Sequence, residues 1–366
     1  MNKIIIFLLM VYIYLDEVYM RERIDWVDYA KAIGIVLVIY GHVSRGAFVS
    51  GVGLTESIFK ISDSVIYSFH MPLFFFLSGL FFYTSYTKRG SINFILGKLD
   101  NIVYPYLVWS VFQGVVQAAL SQYTNKTISY VDVFELWIPK AQFWFLYALF
   151  FILFFSCVLL SFDKKQKYNT FFIISFVLYI LNPLMSNINP ISYIAPNLVY
   201  FALGGVFYKY NICRLLFNKT VLLILTTIFL SSQYIYHGLL DKNYADKDIV
   251  SFILACISIL FIISLSMNLS KRPVGIIMHI GSSSMAIYLM HILAASGMRV
   301  ILTKFLSIDN TAENLFFGCV AGIFIPLLCI RIIDILHIKF IFSLPISKWI
   351  KAIFYKLLKR KVSLNV

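Results

Sequence analysis

The feature that most constrains this chain is a recurrence: runs of about sixteen to twenty apolar residues, bounded by polar clusters, follow one another from end to end. A helix rises about 1.5 Å per residue, so a run of about twenty matches the roughly 30 Å hydrocarbon core of a bilayer. The runs lie at 30–49, 64–83, 102–120, 143–161, 170–185, 194–209, 221–236, 249–268, 282–301 and 314–333. The fifth and sixth are short and are separated by NPLMSNINP at 182–190. In water, so many wholly apolar helices would need a polar coat. Only 13% of residues are charged against 60% hydrophobic, whereas a soluble domain averages about a quarter charged. The expected fold is an all-α integral membrane protein, a bundle of about ten transmembrane helices.

The charges are arranged by side. With the N-terminus inside, the cytoplasmic loops receive Arg21, Arg23, Lys31, Lys88, Arg89, Lys98, Lys164, Lys165, Lys167, Lys209, Arg214, Lys219, Lys271, Arg272 and the basic stretch from Arg331 to Lys361. The other side receives Arg45, Lys60, Lys126, Lys140, Lys242, Lys247, Arg299 and Lys304. Cytoplasmic loops of membrane proteins accumulate Lys and Arg, so the bias places both termini in the cytoplasm. The formal net charge of +14 is therefore read as topology, and no nucleic acid is expected as a partner. Five cysteines, with no Cys-x-x-Cys pair, point to neither a disulfide framework nor a metal site.

Three regions are expected. Residues 1–20 form an N-terminal extension, whose apolar run 4–15 is short for a span, and two native starts stay open, Met1 and Met20, the latter just before RERIDW. Residues 21–338 form the transmembrane domain. Residues 339–366 form a basic tail in which Trp349, Ile350, Ile353, Phe354, Leu357 and Leu358 recur at helical spacing among lysines, as in an amphipathic helix lying on the cytoplasmic leaflet.

Candidate chemistry begins in DYAKAIGIVLVIYGHV at 28–43. Lys31 and His42 are eleven residues apart, about 20° past three full turns, so both share one helix face with a rise of about 16 Å between them. With Lys31 at the membrane boundary, His42 falls near the midplane. Asp28, three residues before Lys31, can pair with it across one turn. Lys31 alone is equally a lysine snorkelling to the boundary. His42 is harder to explain that way, since ionisable groups inside spans usually face the bundle interior or a cavity. His70 in SFHMPLFFFLSGL and His291 in SSSMAIYLMHILAASGMR add two more intramembrane imidazoles from other helices, with Tyr40, Ser68, Ser78 and Tyr288 as polar company. Imidazole titrates near neutrality and suits proton transfer.

RIDWVDYAKAIGIVLVIYGHV followed by SFHMPLFFFLSGLFF resembles the opening of the membrane-bound acyltransferase-3 family, including its fucose 4-O-acetylase-like proteins. The family's signature, Arg or Lys, ten residues and then His, is filled by Lys31 and His42. PYLVW at 105–109, FWFLYALFF at 143–151, YFALGGVFY at 200–208 and GSSSMAIYLMH at 281–291 follow in family order. The resemblance implies a ten-helix enzyme of the bacterial inner membrane that moves an acyl group, usually acetyl from acetyl-CoA, to a cell-surface carbohydrate or lipid-linked glycan. Carried over by position, His42 is catalytic and Lys31 its essential partner, while His70 and His291 stand at further motif positions; the residues themselves add Asp28, beside Lys31, and Tyr288, a candidate oxyanion donor, in support. Lys31, Lys88, Arg89 and Lys98 would hold the anionic head of the donor. Many relatives carry Arg-x-x-Arg before the PYLVW-like segment. Here it is Lys98-Leu99-Asp100-Asn101, so one cation is missing. The alternatives are a transporter or flippase for lipid-linked sugars, or an acyltransferase with another acyl group or an amine acceptor.

Overall fold

The computed structural model describes residues 2–121, 129–161 and 167–353. Its regular structure is helical, and no β-strand occurs among the described residues. In hydrocarbon each backbone N–H and C=O must be satisfied within the chain, and helices do this segment by segment.

The helices are α1 (Asn2–Val49), α2 (Glu56–Tyr67), α3 (His70–Arg89), α4 (Ser91–Lys98), α5 (Tyr104–Ala119), the single turn α6 (Tyr130–Val133), α7 (Trp144–Ser161), α8 (Lys167–Ile180), α9 (Ile191–Tyr210), α10 (Lys219–Tyr234), α11 (Ile249–Leu269), α12 (Gly275–Ser282), α13 (Ser284–Val300) and α14 (Thr311–Ile335). Among the described residues nine segments are long and apolar enough to cross a membrane: Asp25–Val49, Glu56–Arg89, Ser91–Ala119, Ala141–Leu159, Ile191–Tyr210, Lys219–Leu239, Ile249–Leu269, Ser284–Phe305 and Thr311–Ile335. The run expected at 170–185 is instead the 14-residue α8, about 21 Å long. NPLMSNINP ends it, because Asn182–Met185 tightens into a 3-10 turn around Pro183. Nine full-length spans and one shorter apolar helix therefore stand where ten were expected.

Two irregularities shape the interior. The second span is broken between α2 and α3 at Ser68 and Phe69, where Phe69 leaves helical geometry at φ −141°. Pro72 suits the place: it lacks an N–H, and a helix restarting at His70 puts it in the first turn, where no backbone N–H has a partner within the helix. Between α4 and α5 the backbone widens into a π-helical turn over Leu99–Val103. Pro105 offers no N–H to the carbonyl four residues back, and the hydrogen-bond ladder shifts there.

Helix α1 runs through the centre, packed against α2, α3, α11, α12, α13 and α14. Its Ala30, Ile35, Val38 and Ile39 are buried. Helices α3 and α9 meet backbone to backbone. A Cβ at Gly79 would lie 1.9 Å from the Phe201 carbonyl oxygen, and one at Gly204 2.1 Å from that of Phe76, so only glycine fits either place. Large apolar side chains such as Phe154, Leu223, Phe316 and Phe324 point outward, as a lipid-facing surface requires. Beyond α14, the Trp109 indole donates to the Ile341 carbonyl at 3.1 Å. Ser347 donates to the Asp100 carboxylate through its N–H at 2.8 Å and its hydroxyl at 2.5 Å. The start of the expected tail is thus docked on the Leu99–Val103 turn and α5, while residues 354–366 lie outside the described residues.

Candidate active site

One stripe of α1 carries Lys31, Ile35 and Val38, and the same stripe, continued by one turn, reaches His42. Lys31 lies 3.3 Å from the Asp28 carboxylate, so the local pair read from the sequence is present. Lys31, Ile35 and Val38 form one wall of a cavity of about 280 Å³. The facing walls are stripes of the same period: Phe74, Ser78 and Phe81 of α3, and Phe145, Leu149 and Leu153 of α7. Ser284, Met285 and Tyr288 of α13 complete the lining, and Lys98 faces it from the end of α4. The cavity is thus apolar along its length, with Lys31 and Lys98 among its few charged groups.

Of the other two cations expected to hold a donor, neither lines this cavity. Arg89 leans against Gly97, where an added Cβ would lie 3.6 Å from its Nη1, which places it beside Lys98. Lys88 is exposed. Ser78 lines the cavity but returns its hydroxyl hydrogen bond to Phe74.

The three histidines gather beyond the Tyr288 end. The rings of His42 and His291 are 5.2 Å apart, centroid to centroid. His70 reaches the group through Tyr67, whose ring stands edge-on to it at 4.5 Å and to His42 at 6.5 Å. His70 and His291 are sealed, 1% and 0% exposed, whereas His42 is only half-buried. His70 donates from Nδ1 to the Ile66 carbonyl at 2.7 Å, and His291 from Nδ1 to the Tyr288 carbonyl at 2.7 Å. A carbonyl can only accept, so both protons sit on Nδ1 and both Nε2 atoms are bare in the neutral ring. Tyr288 lies at 6.0 Å from His291 and donates its hydroxyl proton to the Gln142 carbonyl. None of the three histidines lines the cavity; Tyr288 does, and its ring neighbours that of His291.

An acyltransferase domain, that of the acyltransferase-3 family, matches residues 24–331. The chain belongs to the acyltransferase-3 family. It is a multi-pass membrane acyltransferase. No curated protein and no solved structure matches it. The matched stretch contains Asp28, Lys31, His42, His70, Tyr288 and His291.

In this acyltransferase-3 protein the Arg45 end of the bundle holds groups that the sequence reading did not join to the site. Arg45 makes a two-pronged bond to Asp63, at 2.6 Å from Nε and 2.8 Å from Nη2. Its guanidinium also lies 3.4 Å over the Tyr67 ring and 5.1 Å from that of Tyr244. Tyr244 is brought there by its own N–H, which donates to Ser64 at 2.8 Å. The signal was present: Arg45 follows His42 by three residues, and Asp63 is an acid at a span's edge. What linked them is the fold of α2 back along α1. His237 is held in place by its neighbours: its Nδ1 donates to the Lys242 carbonyl at 3.0 Å and its Nε2 meets Gln233 at 3.0 Å. Among the described residues no group of three His, Cys, Asp or Glu side chains is placed to hold a metal ion.

Proposed function

We propose that this acyltransferase-3 protein is an O-acetyltransferase that carries an acetyl group from acetyl-CoA to a hydroxyl of a cell-surface carbohydrate, such as an O-antigen, capsule or exopolysaccharide, in a bacterial inner membrane. The observation that carries the reading is the path along one face of α1. Cations stand at one end, an apolar cavity follows, and a half-buried imidazole lies one turn past the cavity's last α1 residue, Val38.

Each part suits the donor. Acetyl-CoA is made in the cytoplasm, and the loop charges put the Lys31 end on that side. Lys31 and Lys98, with Arg89 beside them, offer charge-assisted hydrogen bonds to its phosphates. A cavity of about 280 Å³ accommodates a slender arm rather than a nucleotide, so the head stays at the rim and the pantetheine arm enters. The last turn, from Val38 past Tyr288 to His42, is covered by the acyl group itself.

His42 then acts as general base. It takes the proton of the acceptor hydroxyl as that oxygen attacks the thioester carbonyl. The carbonyl electron pair moves onto oxygen, and the tetrahedral centre collapses with loss of the CoA thiolate, which receives the proton back from His42. The products are an acetyl ester and free CoA. The bare Nε2 of His291, 5.2 Å away ring to ring, favours an orientation of His42 with an N–H toward it and a lone pair toward the acceptor.

The test is transfer itself. Purified protein supplied with labelled acetyl-CoA and de-esterified envelope polysaccharide is expected to release CoA and form ester acetyl groups detectable by NMR. His42→Ala is expected to abolish both while leaving protein level and membrane insertion intact. Near-normal acetylation by that variant contradicts the assignment.

A further inference from the structure

Transfer places negative charge on the thioester oxygen, and a donor already aimed at that point is worth about 10²–10³ in rate. Around His42 most donors are committed. The Nδ1 protons of His70 and His291 go to backbone carbonyls, and the Tyr288 hydroxyl goes to Gln142. Ser44 has a buried hydroxyl without a partner, but two residues beyond His42 it is turned about 200° round α1, away from the site. The Tyr67 hydroxyl is different. It is buried, has no hydrogen-bond partner among the described residues, and belongs to a ring edge-on to His42.

We infer that Tyr67 is a further catalytic residue, whose hydroxyl donates to the oxyanion formed as the acetyl group leaves CoA; this rests on the proposed acetyl transfer. The ring is held from several sides. Arg45 covers one face at 3.4 Å and is itself fixed by Asp63. His70 abuts it edge-on at 4.5 Å. A Cβ at Gly41 would lie 2.8 Å from Tyr67 Cε2 and 3.2 Å from its hydroxyl oxygen, so glycine in the position before His42 lets the hydroxyl lie against α1 there. An ion pair, an imidazole and a glycine thus fix a hydroxyl to which the described residues offer no acceptor. Leaving a buried hydroxyl unsatisfied costs about 1–3 kcal/mol, a cost that a ligand oxygen at this point would offset.

The step balances without a further reagent. As the acceptor oxygen adds, the carbonyl electron pair moves onto oxygen, and the Tyr67 O–H donates to it without giving up its proton. When the C–S bond breaks the pair returns to the carbonyl, and the proton held by His42 passes to the CoA sulfur.

Tyr67→Phe removes one oxygen and keeps the ring that Arg45 and His70 pack against. Wild type, Tyr67→Phe and His42→Ala are compared in detergent with acetyl-CoA and de-esterified envelope polysaccharide, reading CoA release and thermal midpoint. Tyr67→Phe is expected to lower kcat about 10²–10³-fold, with KM for acetyl-CoA unchanged and the midpoint unchanged or raised. A kcat within about threefold of wild type, or a loss carried by KM or by the midpoint, overturns the inference while His42-dependent release leaves the transfer reading standing. Absence of His42-dependent release in wild type overturns the transfer reading, and the role of Tyr67 with it.

Discussion

Of the three histidines inside the bundle, only His42 keeps part of its ring uncovered, and only His42 lacks a backbone carbonyl to fix its tautomer among the described residues. His70 and His291 are each locked by a backbone carbonyl. Lys31 differs again: the Asp28 contact holds it at the cavity rim, and its side chain is 36% exposed. If its role is to meet the donor's phosphates, charge matters more than shape. Lys31→Arg is expected to keep a substantial part of the activity, and Lys31→Ala to raise KM for acetyl-CoA about tenfold or more, the loss of roughly one charge-assisted bond. Equal kinetics for the two variants would make Lys31 a boundary anchor only. The Asp28–Lys31 pair and the Lys31–His42 face were legible in the sequence because helical periodicity is local. Tyr67 and the Arg45–Asp63 pair were not, because their meaning depends on contacts between α1 and the break joining α2 to α3.

Among the elements, α1, α3 and α7 bear most of the burden, since all three offer periodic stripes to the cavity. The sequence located the spans to within a few residues at most ends, as apolar runs of membrane length must. It did not show the break at Ser68 and Phe69, although Pro72 was visible. A proline permits such a break, and only the packing of neighbouring helices decides whether it forms. The short α8 was foreshadowed by NPLMSNINP, whose prolines and asparagines stop a helix on any reading. The cavity gives a prediction at this scale. Ser78 lines it from α3, and Ser78→Leu adds bulk where the donor arm would lie. KM for acetyl-CoA is expected to rise on the order of tenfold, about 1.4 kcal/mol, with the dependence on acceptor concentration unchanged. An unchanged KM would mean that the donor does not use this cavity.

The whole molecule has two chemically distinct ends around one interior. At the Lys31 end, cations rim an apolar cavity; at the Arg45 end, an ion pair and two tyrosines roof the histidines. A donor from one side and an acceptor from the other would meet at His42 without either crossing the bilayer intact. The loop charges expressed this sidedness in the sequence, but the cavity itself depends on five helices from distant parts of the chain. The most direct measurement is the density of a non-transferable acetyl-CoA analogue bound to the protein. The phosphates are expected against Lys31 and Lys98, with the arm between α1, α3 and α7 and the acyl carbonyl within reach of His42. A nucleotide head bound at the Arg45 end, or an acyl group that stops short of the histidines with Tyr288 closed behind it, would contradict the route.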